Sequence, residues 1–216
     1  EMSASLVGSE MCIRDRAYTG YETINDMPIF YQELKQTLTY PLAWGNAPEK
    51  DFSRWREQAR RKLLECMQPA PPESAFDMKV IESEQREGYT AQKIVFNISK
   101  WSRVPAYLLV PEGKGPFPAI LLLHDHGAHF TIGKEKMVRP FHVSEVVQAD
   151  ADDWVTRCYD GQYVGDYLAQ HGYIVLAVDA LFWGERGRKE YPRYDSQQAL
   201  SANLLQMGMS WGALIT

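Results

Sequence analysis

From Phe117 to Leu123 the chain carries no polar side chain, and the run then breaks into the polar turn His124-Asp125-His126-Gly127-Ala128-His129. A short apolar run opened by Pro118 and closed by a glycine-containing turn predicts a strand buried on both faces, the kind found in parallel sheets. A second such run, Tyr173-Ile174-Val175-Leu176-Ala177-Val178, ends on Asp179. Upstream, Phe76 to Glu84, Tyr89 to Ile98 and Val104 to Val110 predict three strands of an antiparallel meander. Ile94, Phe96 and Ile98 alternate, and Pro105 marks an edge or a strand start. Helical spacing appears at Asp51 to Met67, where Trp55, Ala59, Leu63, Leu64 and Met67 recur, Ser53 is available as a cap and Pro69-Ala70-Pro71-Pro72 ends the element. Shorter helices are expected near Tyr31 to Leu38 and around Val164, Tyr167 and Leu168, the latter stopped by Gly172. The segment between the His124 turn and this last helix reads as a charged and aromatic link. Strand, crossover with helix and strand make a βαβ unit with parallel strands.

In open α/β sheets the ligand crevice lies outside the carboxyl ends of the strands, so the residues from His124 to His129 stand where an active site would be built. Composition narrows the classes further. The chain has 216 residues, 45% hydrophobic and 24% charged, with net charge −5, which suits one globular domain or a little more. No basic block exceeds Arg60-Arg61-Lys62, which reads as a solvated helix face, so neither nucleic acid nor a membrane surface is an expected partner. Cys12, Cys66 and Cys158 are too few and scattered for a disulfide framework or a thiol metal site. Residues 1–16 have no periodicity and resemble a translated adapter, a non-native scar with which a leader could have been lost; as read, the remaining chain has a cytoplasmic composition. The expected organisation is then a helical extension and linker over 17–72 and the first half of an α/β domain over 73–216.

Gly208-Met209-Ser210-Trp211-Gly212 fits the G-x-S-x-G pattern that places a nucleophilic serine on a strained strand-to-helix turn. The preceding Gln198 to Met207 contains no β-branched residue and favours helix, and Leu200, Leu204, Met207, Trp211 and Leu214 fall on one helical stripe through the motif. Helix packing is therefore preferred over Ser210 as a nucleophile.

Val104-Pro105-Ala106-Tyr107-Leu108-Leu109-Val110-Pro111, the run from Pro118 to Ala128, the run from Gly172 to Ala180, and Gly184-Glu185-Arg186-Gly187 together resemble bacterial α/β-hydrolases of the dienelactone-hydrolase and acetyl-xylan-esterase-like group. The resemblance spans Phe76 to the end. It implies an α/β-hydrolase fold, mostly parallel and doubly wound with an antiparallel N-terminal meander and truncated at its C-terminus, and a serine hydrolase of carboxylic esters working through an acyl-enzyme. In that group the turn after the third strand donates a backbone N–H to the oxyanion hole. Carried over, Ala128 is the expected donor and Gly127 lets the backbone turn. Such donors fixed at the end of a strand are worth a few kcal/mol each. His126, His129 and Trp183 would shape the pocket. The triad would follow in the order Ser, acid, His, and the resemblance places it beyond residue 216. No cofactor is implied, and the substrate would be a small ester or an acetylated sugar.

Two other classes compete. His124, His126 and His129 match the H-x-H-x-D-H spacing of zinc-dependent metallo-β-lactamase-like hydrolases, except that Ala128 stands where the aspartate should be. A non-catalytic binding module would explain the missing triad. Elsewhere the plain readings are structural: Asp179 caps the following turn, Gly184 to Gly187 form an exposed turn with a local ion pair, Lys134-Glu135-Lys136 is a solvated face, and Trp154, Phe182 and Trp183 line a site or fill the core.

Overall fold

The computed structural model of the protein describes residues 23–24, 27–28, 30–67, 69–187, 195–210 and 212. The proposed scar, Glu1 to Arg16, lies outside them. Two compact units divide the chain, one up to Leu63 and one from Leu64.

In the first unit β1 (Thr23–Ile24) pairs antiparallel with β2 (Met27–Pro28), followed by α1 (Phe30–Thr37) and α2 (Phe52–Glu65). The cap of α2 is Asp51, not Ser53: Asp51 Oδ1 accepts from Arg54 N–H at 3.0 Å, the reach of a short carboxylate from the N-cap to the third helical amide. Trp55 Nε1 donates to Leu42 O at 2.8 Å, and Trp44 meets Phe52 and Trp55 edge-on. The predicted stripe is only partly used, since Leu63 and Leu64 are exposed.

The second unit holds β3 (Lys79–Arg86), β4 (Tyr89–Ser99), β5 (Ser102–Pro111), β6 (Ala119–Leu123), α3 (Glu145–Cys158), α4 (Val164–Gln170), β7 (Ile174–Val178) and α5 (Asp195–Gln206). The strands form one sheet in the order β3-β4-β5-β7-β6. The meander is antiparallel as expected. β7 enters between β5 and β6, antiparallel to the first and parallel to the second, in register from Ala119 opposite Ile174 to Leu123 opposite Val178. Pro105 sits just before pairing with β7 begins at Ala106, where its missing N–H leaves that ladder intact.

One face of the sheet is covered: Tyr89, Ala91, Tyr107, Leu109, Leu122, Val175 and Ala177 pack with Val138, Phe141 and Ala169, and α4 lies against β5 and β7. The other carries Ile94, Phe96, Val104 and Ala106, with Leu108, Leu176 and Val178 packed against them. There the expectation for β6 needs correction. It is the last strand of the sheet, and while Leu122 is 8% exposed, Leu121 and Leu123 on the opposite face are 57% and 71% exposed.

Helix α3 was not expected, because Asp150, Asp152 and Asp153 break its apolar pattern. Ser144 caps it, Oγ accepting from Val147 N–H at 3.4 Å. Val147, Ala151, Trp154 and Val155 still recur at helical spacing, and the first three pack with Ile132 in a separate small core. Nor does α5 run on through the G-x-S-x-G motif. It ends at Gln206 in a Schellman turn, with Gly208 at φ 72°, its N–H donating to Leu205 O at 3.0 Å and Met209 N–H donating to Leu204 O at 2.8 Å. A helix, not a buried strand, therefore precedes Ser210. No helix among the described residues is long and apolar enough to cross a membrane.

Candidate active site

Because β6 and β7 run parallel side by side, their carboxyl ends open onto the same edge, and the loops that follow touch. Ala180 N–H donates to His124 Nε2 at 2.9 Å, Trp183 Nε1 to His126 O at 3.1 Å, and Gly184 N–H to Phe130 O at 3.0 Å. The His124-to-His129 turn is thus seated on the Asp179-to-Gly187 loop.

The three histidines of the zinc alternative are engaged separately. His124 uses Nε2 for Ala180 N–H and holds Nδ1 at 2.8 Å from Asp125 O, so its proton sits on Nδ1; burial lowers its pKa and keeps it neutral. His126 Nδ1 accepts from Ala128 N–H at 3.3 Å, with its ring edge-on to Trp183. His129 turns the other way, Nδ1 to Asp150 Oδ1 at 2.5 Å and Nε2 facing Arg157 Nη2 at 3.3 Å, its ring beside Trp154. Among the described residues these imidazoles form no group close enough to share a metal ion, which speaks against the zinc alternative. Geometrically they brace the loop.

The loop rests on a charge that sequence reasoning placed in solvent. Lys134, Glu135 and Lys136 are 1%, 2% and 0% exposed, a reversal of the solvated-face expectation. Apart from the adjacent Lys134–Glu135 pair, the partners of their ammonium groups lie ten or more residues away, where no local pattern reports them. Lys136 Nζ donates to Asp125 O and His126 O, both at 3.0 Å, lies 3.7 Å from Asp125 Oδ1, and sits over the Trp154 and Trp183 rings. Burial lowers its pKa against the pull of Asp125. Asp125 Oδ2 in turn accepts from Trp154 Nε1 at 3.2 Å and Tyr159 OH at 2.8 Å. Trp154 and Asp150, both from the unexpected α3, are therefore what hold the loop from below.

Lys134 is the centre of a second cluster. Its ammonium lies 2.7 Å from Glu135 Oε1, 2.9 Å from Asp179 Oδ2 and 2.7 Å from Glu185 Oε2. These three carboxylates lie close enough together to hold a metal ion, but the ammonium occupies the space between them. Burial opposes the lysine's charge, yet Glu135 and Asp179 hold it well above its ordinary range. Asp179 accepts from Lys134 N–H at 2.7 Å and from Glu185 N–H at 3.1 Å, so it caps the following turn as expected and also pins the segment after β6. The Gly184-to-Gly187 turn is not closed by a local ion pair: Glu185 reaches Lys134 and Lys93, while Arg186 Nη1 donates to Asp179 O at 2.9 Å. Gly133 is required here, because a Cβ would stand 2.2 Å from Asp179 Oδ1.

Gly127 and Ala128 both adopt left-handed backbone, φ 50° and 57°. A Cβ on Gly127 would stand 2.2 Å from Trp154, so only glycine fits that turn. Trp154 and Trp183 are 8% and 4% exposed, packed under the loop rather than lining an open pocket. Two cavities lie elsewhere: one of about 230 Å³ lined by Tyr89, Arg139, Tyr163, Asp166 and Tyr167 among others, and an apolar groove of about 180 Å³ at Phe76, Met78, Phe96 and Leu108. Neither includes a residue from His124 to His129.

Comparison with known proteins places the chain in a family. The sequence model described as "Abhydrolase family" matches residues 18–215. The "Putative hydrolase YtaP" of Bacillus subtilis (strain 168) is 24% identical over 161 residues, which cover 74% of this chain and 47% of that protein. Among solved structures, a putative acetyl xylan esterase from Bacteroides fragilis NCTC 9343 superposes with TM-score 0.62 at 22% identity, covering 90% of this chain and 50% of that one. A glucuronoyl esterase from Solibacter usitatus gives TM-score 0.41 at 17% identity, over 68% of this chain and 42% of its own. The chain spans about half the length of the relatives it matches. With the family model matched over most of the sequence and the mixed sheet superposing on a solved structure of that fold, the protein belongs to the Abhydrolase family and has an α/β-hydrolase fold.

Proposed function

We propose that this chain is the amino-terminal part of a serine hydrolase of carboxylic esters that works through an acyl-enzyme, with the turn after β6 as half of its oxyanion hole. The observation that carries the reading is the immobilised backbone of that turn, held at the carboxyl end of a parallel strand by Lys136, Trp183 and the left-handed Gly127. Ester hydrolysis passes through a tetrahedral oxyanion, and prefixed amides stabilise it without having to reorganise. The nucleophile, acid and histidine of the triad come from sequence beyond residue 216. A small acyl ester or acetylated sugar is the substrate class that the acetyl xylan esterase likeness favours.

A fluorophosphonate probe tests this, since an activated serine reacts whatever the enzyme's specificity. Residues 1–216 should stay unlabelled, and the protein extended along its gene should label. Labelling of the 216-residue chain that disappears in Ser210→Ala would move the nucleophile to Ser210. An extended protein that neither labels nor cleaves aryl esters would leave recognition without catalysis.

A further inference from the structure

We propose that Lys136 is the residue that aims the oxyanion amides, and that the donor it presents is Gly127 N–H rather than Ala128 N–H. The proposal rests on the ester-hydrolase reading and specifies its site. Lys136 Nζ donates to the carbonyls of Asp125 and His126, and His126 O also accepts from Trp183 Nε1. Both donors are buried, so two successive carbonyls point into the protein. In a trans peptide the N–H points opposite to the C=O. The peptide between His126 and Gly127, fixed at its oxygen by two donors, therefore turns the Gly127 N–H away from the protein body. That N–H has no acceptor among the described residues. Ala128 N–H, in contrast, is folded back onto His126 Nδ1.

The choice of lysine follows from the surroundings. The inner side of the loop is closed by the Trp154 and Trp183 rings, which offer ring faces and two N–H groups, one of them committed to Asp125. Two inward carbonyls need donors there, and an ammonium supplies them from one point, with its charge met by Asp125 and both indoles. A cation on the oxygen side of a peptide also polarises its N–H, making a stronger donor on the outer side. Lys136 touches no substrate in this arrangement. It is a positioning residue.

The test uses the protein extended along its gene and three forms of it: wild type, Lys136→Met and Trp183→Phe. Lys136→Met keeps the stem and removes the charge; Trp183→Phe keeps an aromatic ring and removes one of the two donors to His126 O. The expected result on an aryl ester is a kcat lower by about tenfold to a hundredfold in Lys136→Met and by several-fold in Trp183→Phe, with KM little changed, because an oxyanion donor acts in the transition state. In the NMR spectrum of isotopically labelled residues 1–216, the Gly127 amide should move more than that of Ala128 in both variants. A wild type that cleaves no ester overturns the ester-hydrolase reading itself. An active wild type whose folded Lys136→Met form keeps its kcat overturns only the role of Lys136. Should Lys136→Met not fold, Trp183→Phe decides: an unchanged kcat with an unmoved Gly127 amide sinks the proposal.

Discussion

Asp179 shows how one buried side chain couples the site to pH. Burial pushes its pKa up to about 6 from an ordinary 3.8, outweighing Lys134 beside it. The folded state thus binds this proton more tightly than the unfolded chain. Its contribution to stability is full below about pH 4 and is lost as pH rises through 6. Glu135 and Glu185, held below their ordinary range by Lys134 despite burial, act in the opposite sense, contributing above about pH 4.5 and less as pH falls. Asp179→Asn keeps the shape and removes the first effect. Urea midpoints measured from pH 4 to 6 should therefore decline for the wild type relative to Asp179→Asn, and parallel curves would contradict the assignment. Neither the pKa nor the cluster was legible locally, because Lys134 and Asp179 are 45 residues apart, the first alone reading as a solvated charge and the second as a turn cap.

Among the elements, α3 matters most to the site and was the least visible in sequence. Three aspartates in its middle dilute the apolar stripe, yet Asp150 is spent on His129 and Thr131, and Asp152 accepts from Tyr163 OH at 2.8 Å. The signal that could have found it is Ser144 followed by Val147, Ala151, Trp154 and Val155. Its stability leans on that cap. Ser144→Ala should cost about 1 kcal/mol, read as a lower urea midpoint together with faster hydrogen exchange at the Val147 amide. An unchanged midpoint would mean that packing of Trp154 alone fixes the helix. The strands were more transparent, since the alternation in β4, the strand-forming stretches at β3 and β5 and the unbroken runs of β6 and β7 predicted all five strands of the larger sheet within a few residues. Their boundaries shifted where pairing, not composition, set the ends.

Across the molecule, the two faces of the sheet have unequal roles. Leu122 packs into the core beneath α4, while its neighbours Leu121 and Leu123 stand exposed on the other face. For residues 1–216, Leu122→Ala should cost about 2–4 kcal/mol. The pair Leu121→Thr and Leu123→Thr should change stability by less than about 0.5 kcal/mol each while reducing binding of a hydrophobic dye. A large loss from the outer pair would show that this face is packed in solution.

The sequence by itself determined the class of the fold and nominated the site: period-two and unbroken apolar runs require strands, and the polar turn that ends the β6 run is where the candidate residues stand. Those are local properties, set by neighbouring residues and readable from them. Tertiary structure alone decided that Lys134-Glu135-Lys136 turns inward, that His124, His126 and His129 take separate partners, and that Ala128 N–H folds back onto His126 while Gly127 N–H has no acceptor among the described residues. The reason is that a buried charge is tolerable only beside partners, and here the partners come from Asp125, Trp154, Asp179 and Glu185, brought together by the pairing of β6 with β7 and the packing of α3.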